Sequence, residues 1–313
     1  MESNQVSPSA NWLQELLGWF KFLFSLLVIW CVLAMLPGCK RPAAALGTVW
    51  MGGLKIGCGV LVGVPDGDRT HVAFLTARHV ATANGFFRLQ SKSNAVYLNS
   101  GGAFRCRRIG NIAPERWFCS KEKNLDFAWF ELTPEELNIL SKAGDLPPHV
   151  SLADYTDSEN SSTVAIHDGK GMSSIIEGDI VSVARTFDMP YFGSGLRFPP
   201  FLSTPVSVIF TRMDSGMILK RWQDCIVELP LNSFMSTMAV RQCVFQMSTH
   251  QSDSGAPVFI NGKSDCPRLL GIMITAKLNQ GISGFLPLQA TEEIRKSMMA
   301  GSGTRLIDKK EFW

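Results

Sequence analysis

The sequence predicts an all-β fold, a barrel or sandwich in two lobes, behind an N-terminal helix that is apolar on every face. Three observations predict it. Short apolar runs recur from Ala45 onward, each punctuated by Gly, Pro, Asn or Asp. The loop-rich stretch from Ala143 to Ser162 separates them into two groups. The segment from Phe22 to Leu36, FLFSLLVIWCVLAML, contains no charged residue.

The N-terminal segment comes first. After a tail over residues 1–15, the apolar stretch over 16–38 approaches the ~20 residues that cross a bilayer. Lys21 lies near one end, where it can snorkel, and Pro37 and Gly38 stop the helix. A transmembrane anchor is therefore expected, with the lipid bilayer as a partner. A cleaved signal peptide is the alternative, with Ala43 to Ala45 as its small residues. Lys40 and Arg41 follow the segment, so the positive-inside rule predicts a single-pass protein whose large domain is cytosolic. That compartment suits unpaired thiols. The eight cysteines, at 31, 39, 58, 106, 119, 225, 243 and 266, form no Cys-x-x-Cys pair and no zinc-like grouping with His. Buried free thiols are expected, and neither a metal nor a cofactor is implied.

Strand-length runs follow at Val60–Val64, His71–Thr76, Asp126–Leu132, Ser207–Thr211, Cys225–Leu229 and Leu269–Thr275. Two helices interrupt them. One starts at Thr133, where Thr-Pro-Glu-Glu offers an N-cap, a proline at the first helical position and a capping-box glutamate at Glu136. The other spans Gln289 to Ala300. The first lobe is expected over 46–150 and the second over 151–300, with a tail at 301–313. The net charge is +3, and the densest basic cluster, Arg105, Arg107 and Arg108, reads as a solvated strand edge. No specific nucleic acid partner is indicated.

Three segments carry reactive residues: Thr76-Ala77-Arg78-His79, Leu125-Asp126-Phe127-Ala128 and Ser252-Asp253-Ser254-Gly255-Ala256-Pro257. A serine hydroxyl is a poor nucleophile until an imidazole takes its proton, and the imidazole needs a carboxylate to fix its tautomer. His79 ends an apolar strand, and Asp126 lies among apolar neighbours where a carboxylate must be paired. Ser254 sits in a tight turn that can aim successive backbone N–H groups at a developing oxyanion.

In the order His, Asp, Ser these motifs resemble those of chymotrypsin-like (trypsin-like) serine proteases. The resemblance covers residues 46 to 300 and implies two six-stranded β-barrels with the active site between them. It implies catalytic roles for His79, Asp126 and Ser254, and an oxyanion hole from the N–H groups of Ser252 and Ser254. Thr249, His250, Ile274, Thr275 and Ala276 would lie near the substrate pocket. Ser252 stands where the family has a glycine, and no cysteine follows His79. The span between Asp126 and Ser254 implies an insertion around Phe187 to Pro205. Together with the apolar N-terminus, Thr249-His250-Gln251-Ser252-Asp253-Ser254-Gly255 is similar to the polyprotein proteases of sobemovirus- and polerovirus-like RNA viruses. Met273 stands where relatives selecting Gln or Glu place a histidine, which implies a less polar pocket. The expected function is thus a serine endopeptidase with a polypeptide substrate, its own polyprotein included. Two other readings stay open: a barrel without a working oxyanion hole that serves as a scaffold, and an HtrA-type cellular protease.

Overall fold

The computed structural model describes residues 9–35, 45–51, 54–66, 68–82, 94–99, 106–119, 124–141, 150–151, 154–156, 164–167, 172–188, 209–231, 234–260, 268–277, 280–287 and 304–305. The chain divides into two units, Met1–Cys39 and Lys40–Trp313.

The first unit holds helix α1 (Ser9–Met35). Trp12, Leu16, Trp19, Phe20, Leu23 and Phe24 are among its exposed side chains. Among the described residues, however, no helix is long and apolar enough to cross a membrane. This corrects the expected transmembrane anchor over 16–38, and with it the bilayer partner and the single-pass, cytosol-facing placement. The physical reason lies in the first half of α1. Lys21 interrupts the expected span, so the uncharged run begins only at Phe22 and ends with the helix at Met35, short of the ~20 consecutive apolar residues a crossing needs.

The second unit is the predicted β domain. Its first lobe contains β1 (Leu46–Met51), β2 (Leu54–Asp66), β3 (Arg69–Thr76), β4 (Asn94–Asn99), β5 (Cys106–Ile112), β6 (Phe118–Cys119), β7 (Ala128–Glu131) and β8 (Val150–Ser151). Three short strands, β9 (Asp154–Thr156), β10 (Val164–His167) and β11 (Met172–Ile175), form a separate sheet. Then come β12 (Ile180–Asp188), β13 (Ile209–Leu231), β14 (Phe234–Gln246), β15 (Pro257–Ile260), β16 (Arg268–Lys277), β17 (Ile282–Pro287) and β18 (Thr304–Arg305).

The second lobe is a closed six-stranded barrel in the order β12-β13-β14-β17-β16-β15. In the first lobe, β7-β3-β2-β1-β4-β5 are successive neighbours in a sheet that β6 and β18 extend and β8 joins through β2. This mostly β architecture is consistent with the expected double barrel. The runs at Val60–Val64, His71–Thr76, Cys225–Leu229 and Leu269–Thr275 are all strand. Asp126 and Phe127 instead precede β7, and β13 starts at Ile209. The expected helix over 289–300 and most of the expected insertion over 187–205 lie outside the described residues, although Phe187 and Asp188 end β12.

Local chemistry explains the framework that supports the site. The first lobe packs Phe74, Trp117 and Phe130 together, with ring centroids 4.8–6.3 Å apart. Such edge and tilted contacts add to the burial of three large rings. Helix α2 (Arg78–Ala81) continues directly from β3, and helix α3 (Pro134–Leu140) follows β7. Thr133 caps α3 as the sequence predicts: its Oγ1 accepts the Glu136 N–H, while Glu136 Oε2 accepts the Thr133 N–H. Glu136 also takes both Arg116 Nη groups, at 2.6 and 2.8 Å, so the capping carboxylate ties α3 to the turn before β6. Cys58, Cys119 and Cys243 are buried.

Gly59 on β2 faces the aromatic core. A Cβ there would collide with the Phe74 ring and lie 2.7 Å from the Leu75 carbonyl oxygen. Gly59→Ala is therefore expected to cost about 1–3 kcal/mol through overpacking. Urea unfolding should show a lower midpoint at unchanged slope.

Candidate active site

The register of β3 on β7 brings His79 and Asp126 together. Thr76 pairs with Ala128, so the chain leaving β3 and the chain entering β7 emerge at the same edge. His79 lies three residues beyond Thr76, and Asp126 two before Ala128. One carboxylate then grips His79 twice. Asp126 Oδ1 accepts the His79 backbone N–H at 3.0 Å, and Oδ2 lies 2.6 Å from Nδ1. With a proton on Nδ1, the imidazole leaves Nε2 as its basic nitrogen. The Asp126 side chain is 3 % exposed and the His79 ring 26 % exposed, so the acid is enclosed while the base still meets solvent.

Burial alone would neutralise both groups, pulling the His79 pKa down and pushing the Asp126 pKa up. Their mutual charge and hydrogen bonds outweigh that penalty. The His79 pKa is raised above its ordinary 6.5, and the Asp126 pKa is lowered below its ordinary 3.8, with a smaller contribution from Arg78. The pair is therefore held in its charged form further up the pH scale than a free histidine.

Ser254 follows a single 3₁₀ turn, Gln251–Asp253, and precedes β15. Gly255 has φ +86°, a conformation that disfavours a side chain. A Cβ on Gly255 would also collide with the Cys58 carbonyl oxygen and with Thr76 Oγ1. The turn is pinned to β16: Gly255 N–H donates to Met273 C=O at 2.7 Å, and Met273 N–H donates to Ala256 C=O at 2.9 Å.

The first lobe reaches this turn through β2. Cys58 N–H donates to Ser254 C=O at 2.7 Å, and Cys58 C=O accepts Thr76 Oγ1–H at 2.6 Å. Its thiol lies 3.0 Å from Thr186 Oγ1 and 3.4 Å from the Ser252 carbonyl oxygen. Gly57 provides the clearance. A Cβ there would lie 2.6 Å from the Val80 methyl groups and 2.9 Å from Ser254 O. The helix of His79 and the turn of Ser254 thus converge on Gly57 and Cys58.

The other expected site residues are placed as follows. Ser252 lies within the 3₁₀ turn, partly exposed. Thr249 is buried, with Oγ1 2.7 Å from Ser283 Oγ, and Ser283 donates to Met247 C=O. The Ser283 proton is thereby used, so Thr249 is the donor between the two hydroxyls. Thr275 Oγ1 donates to Gln242 Oε1 at 2.5 Å, and Ile274 is packed in the hydrophobic core. His250 is exposed, and its backbone N–H donates to Asp253 Oδ2. Ala276 lies on β16 opposite Ser283. Sequence reasoning missed Gly57, Cys58 and Arg185. The flanking of Cys58 by Gly57 and Gly59 was a usable signal, because glycines inside a strand mark close backbone approach.

No protein-family model matches the chain, and no curated protein matches it. Solved structures do. Rv3671c from M. tuberculosis is 12 % identical, with 83 % of this chain and 88 % of that chain covered and a TM-score of 0.42. Neuropsin, a serine protease of mouse brain, is 15 % identical, with coverage of 85 % and 97 % and a TM-score of 0.45. The HtrA-type protease AlgW with a decapeptide is 15 % identical, with coverage of 83 % and 66 % and a TM-score of 0.41. Each is a likeness of fold.

Two outcomes follow from this geometry. Gly255→Ala combines a forbidden φ with a collision against backbone, so it should displace the Ser254 turn. Circular dichroism and thermal unfolding should show a loss of about 2 kcal/mol or more. The His79–Asp126 pair should also impose a pH window on stability. The raised histidine pKa contributes stability that is full below 6.5 and is lost as pH rises through the folded value. The lowered aspartate pKa contributes stability that is present above 3.8 and is lost as pH falls through the folded value. The wild type minus Asp126→Asn stability difference should therefore peak between those two ordinary values.

Proposed function

We propose that this chain is a serine endopeptidase in which His79, Asp126 and Ser254 act as a catalytic triad. The observation that carries the reading is the doubly held His79–Asp126 pair just beyond β3, whose Thr76 donates to Cys58 C=O, with the Ser254 C=O accepting the Cys58 N–H.

In this mechanism Ser254 Oγ attacks the scissile carbonyl carbon while His79 Nε2 takes its proton. The bond between Oγ and carbon forms, and the carbonyl π electrons move onto oxygen. Backbone N–H groups of the turn, those of Ser252 and Ser254, stabilise that oxyanion. The intermediate then collapses: the C–N bond breaks, and His79 returns the proton to the leaving amine. Water, activated by the same histidine, releases the acyl group and restores Ser254. Asp126 keeps the imidazole in the Nδ1–H tautomer and stabilises the imidazolium, which accords with the directions of both pKa shifts.

The substrate under this reading is a polypeptide. The likeness of Thr249–Gly255 to viral polyprotein proteases favours processing of a polyprotein. A non-catalytic barrel is the second reading, and Ser252 motivates it, since serine fits the 3₁₀ turn yet replaces a glycine at the proposed oxyanion position.

A fluorophosphonate probe applied to the full chain separates the two. Stoichiometric labelling at Ser254, lost in Ser254→Ala, is the expected result; folded protein that stays unlabelled would favour the scaffold. Asp126→Asn should retain the fold and lower kcat by roughly 10³–10⁴-fold through the wrong histidine tautomer. Because the His79 pKa is raised, the acid limb of kcat/KM should have its midpoint above 6.5.

A further inference from the structure

The second barrel ends with β17 at Pro287, yet β18, Thr304–Arg305, lies on the first lobe. It is the outermost strand of that sheet, antiparallel to β6, with Thr304 opposite Cys119 and Arg305 opposite Phe118. β6 pairs in turn with β7, Cys119 opposite Ala128 and Phe118 opposite Trp129. β7 pairs with β3, Ala128 opposite Thr76. One row of the sheet therefore runs Thr304, Cys119, Ala128, Thr76. It ends at the junction of the lobes, where Thr76 Oγ1 donates to Cys58 C=O.

The connection from β6 to β7 covers residues 120–127 and carries Asp126. Upstream of it, Trp117 is buried in the aromatic core, and Phe118 stacks on Trp129 with ring centroids 4.5 Å apart. Cys119 is the last residue of β6, from which the chain leaves towards the acid. A strand of two residues makes few contacts, and one with a single neighbour opens at low free energy. β18 gives β6 a second neighbour at that exit. Nearer the acid, Asn124 C=O accepts the Arg241 N–H of β14 at 3.0 Å. The connection is thus held twice by segments that belong to, or follow, the second lobe.

Asp126 has to offer both oxygens to His79 at once, Oδ1 to the backbone N–H and Oδ2 to Nδ1. A shift of about 1 Å would break that double contact, and misplacement of this size can cost about 10²-fold in rate. We infer that β18 is a positioning strap: by pairing with β6 it fixes the β6–β7 connection and so holds Asp126 in register with His79. This rests on the hydrolytic reading of Ser254. The strap is also the part that can be released. An outer strand of two residues undocks readily, so a binding event that occupies Thr304 and Arg305 lowers activity without touching the triad.

The test uses full-chain variants. Thr304→Pro/Arg305→Pro removes the backbone N–H donors of β18, whereas Thr304→Ala/Arg305→Ala keeps them. Hydrogen exchange by mass spectrometry reads the connection directly, and kinetics reads its consequence. In the proline variant, exchange over 118–128 should accelerate at least about tenfold. The Ser254 turn is the control and should keep its protection. Its own ties, Arg185 Nη2 to Asp253 Oδ2 at 2.8 Å and Arg185 Nη1 to Asp214 Oδ2 at 2.9 Å, bypass β6. Peptide cleavage should lose about 10–10²-fold in kcat with KM within about threefold. Burial lowers the His79 pKa and Asp126 raises it above 6.5, so the acid limb of kcat/KM should move down towards 6.5 as Asp126 is held less well. The alanine variant should match the wild type throughout. In an Asp126→Asn background the proline pair should cost less than about threefold more, because the group it positions is already gone.

Unchanged exchange over 124–128 or unchanged kcat in the proline variant would overturn the inference. So would an equal loss in the alanine variant, or the full loss repeated in the Asp126→Asn background. If the proline variant does not fold, exchange in the wild type decides. Amides of β6 and β18 that open at one common rate support the strap, and a Cys119 amide protected long after those of Thr304 and Arg305 refutes it. Absence of fluorophosphonate labelling in the wild type would instead refute the hydrolytic reading, and exchange would still show whether β18 holds the connection.

Discussion

Cys58 gives its N–H to Ser254 C=O, takes Thr76 Oγ1–H on its own C=O, and places its thiol between Thr186 Oγ1 and Ser252 C=O. One residue of β2 thereby meets the strand that leads to His79, the turn that carries Ser254 and a wall strand of the second barrel. Cys58, Thr76 and Thr186 are buried, and leaving one of their polar groups unpaired would cost about 1–3 kcal/mol. Few other arrangements of the two lobes could satisfy them all. Gly57 and Gly255 belong to the same constraint, because side chains at either position would occupy the space in which the two lobes meet. The approach of the His79 helix to the Ser254 turn is in this sense a packing result.

On either side of that junction lies a carboxylate that burial alone would disfavour. Asp126 is stabilised by His79 and Asp253 by Arg185, and each also accepts a backbone N–H of the segment it orients. The two acids have a common logic: each spends its charge on fixing a short, irregular piece of backbone beside a reactive side chain. They differ in what faces them. The imidazole beside Asp126 can gain and lose a proton near neutral pH, whereas the guanidinium beside Asp253 cannot. One pair is suited to proton transfer and the other to holding position.

The β pattern, the capped helix at Thr133 and the pairing of His79 with Asp126 were legible in the chain because each rests on local signals. Short apolar runs with turn residues make strands, Thr-Pro-Glu-Glu makes a capping box, and an aspartate between Leu125 and Phe127 needs a partner. Hydropathy was less reliable at the N-terminus. The fifteen uncharged residues from Phe22 to Leu36 suggested a spanning helix, but Lys21 lies inside the expected span and leaves a run shorter than the ~20 apolar residues a crossing needs. The pocket candidates show a different limit. Thr249 and Thr275 were named by position in a motif, yet each hydroxyl is engaged with a neighbour, Ser283 and Gln242, that no spacing rule connects to it.

By itself the sequence determined the residue types that the proposed hydrolytic site requires, the strands and turns that carry them, and their order along the chain. Those features follow from side-chain chemistry and short-range backbone preference. Only the tertiary structure decided that Cys58 is the meeting point and that Arg185 and Asp214 stand behind Asp253. Arg185 lies 68 positions from Asp253, and Cys58 lies 194 from Ser252. Contacts over such separations depend on strand register and on which buried polar groups find partners, and neither is written in any local stretch of the chain.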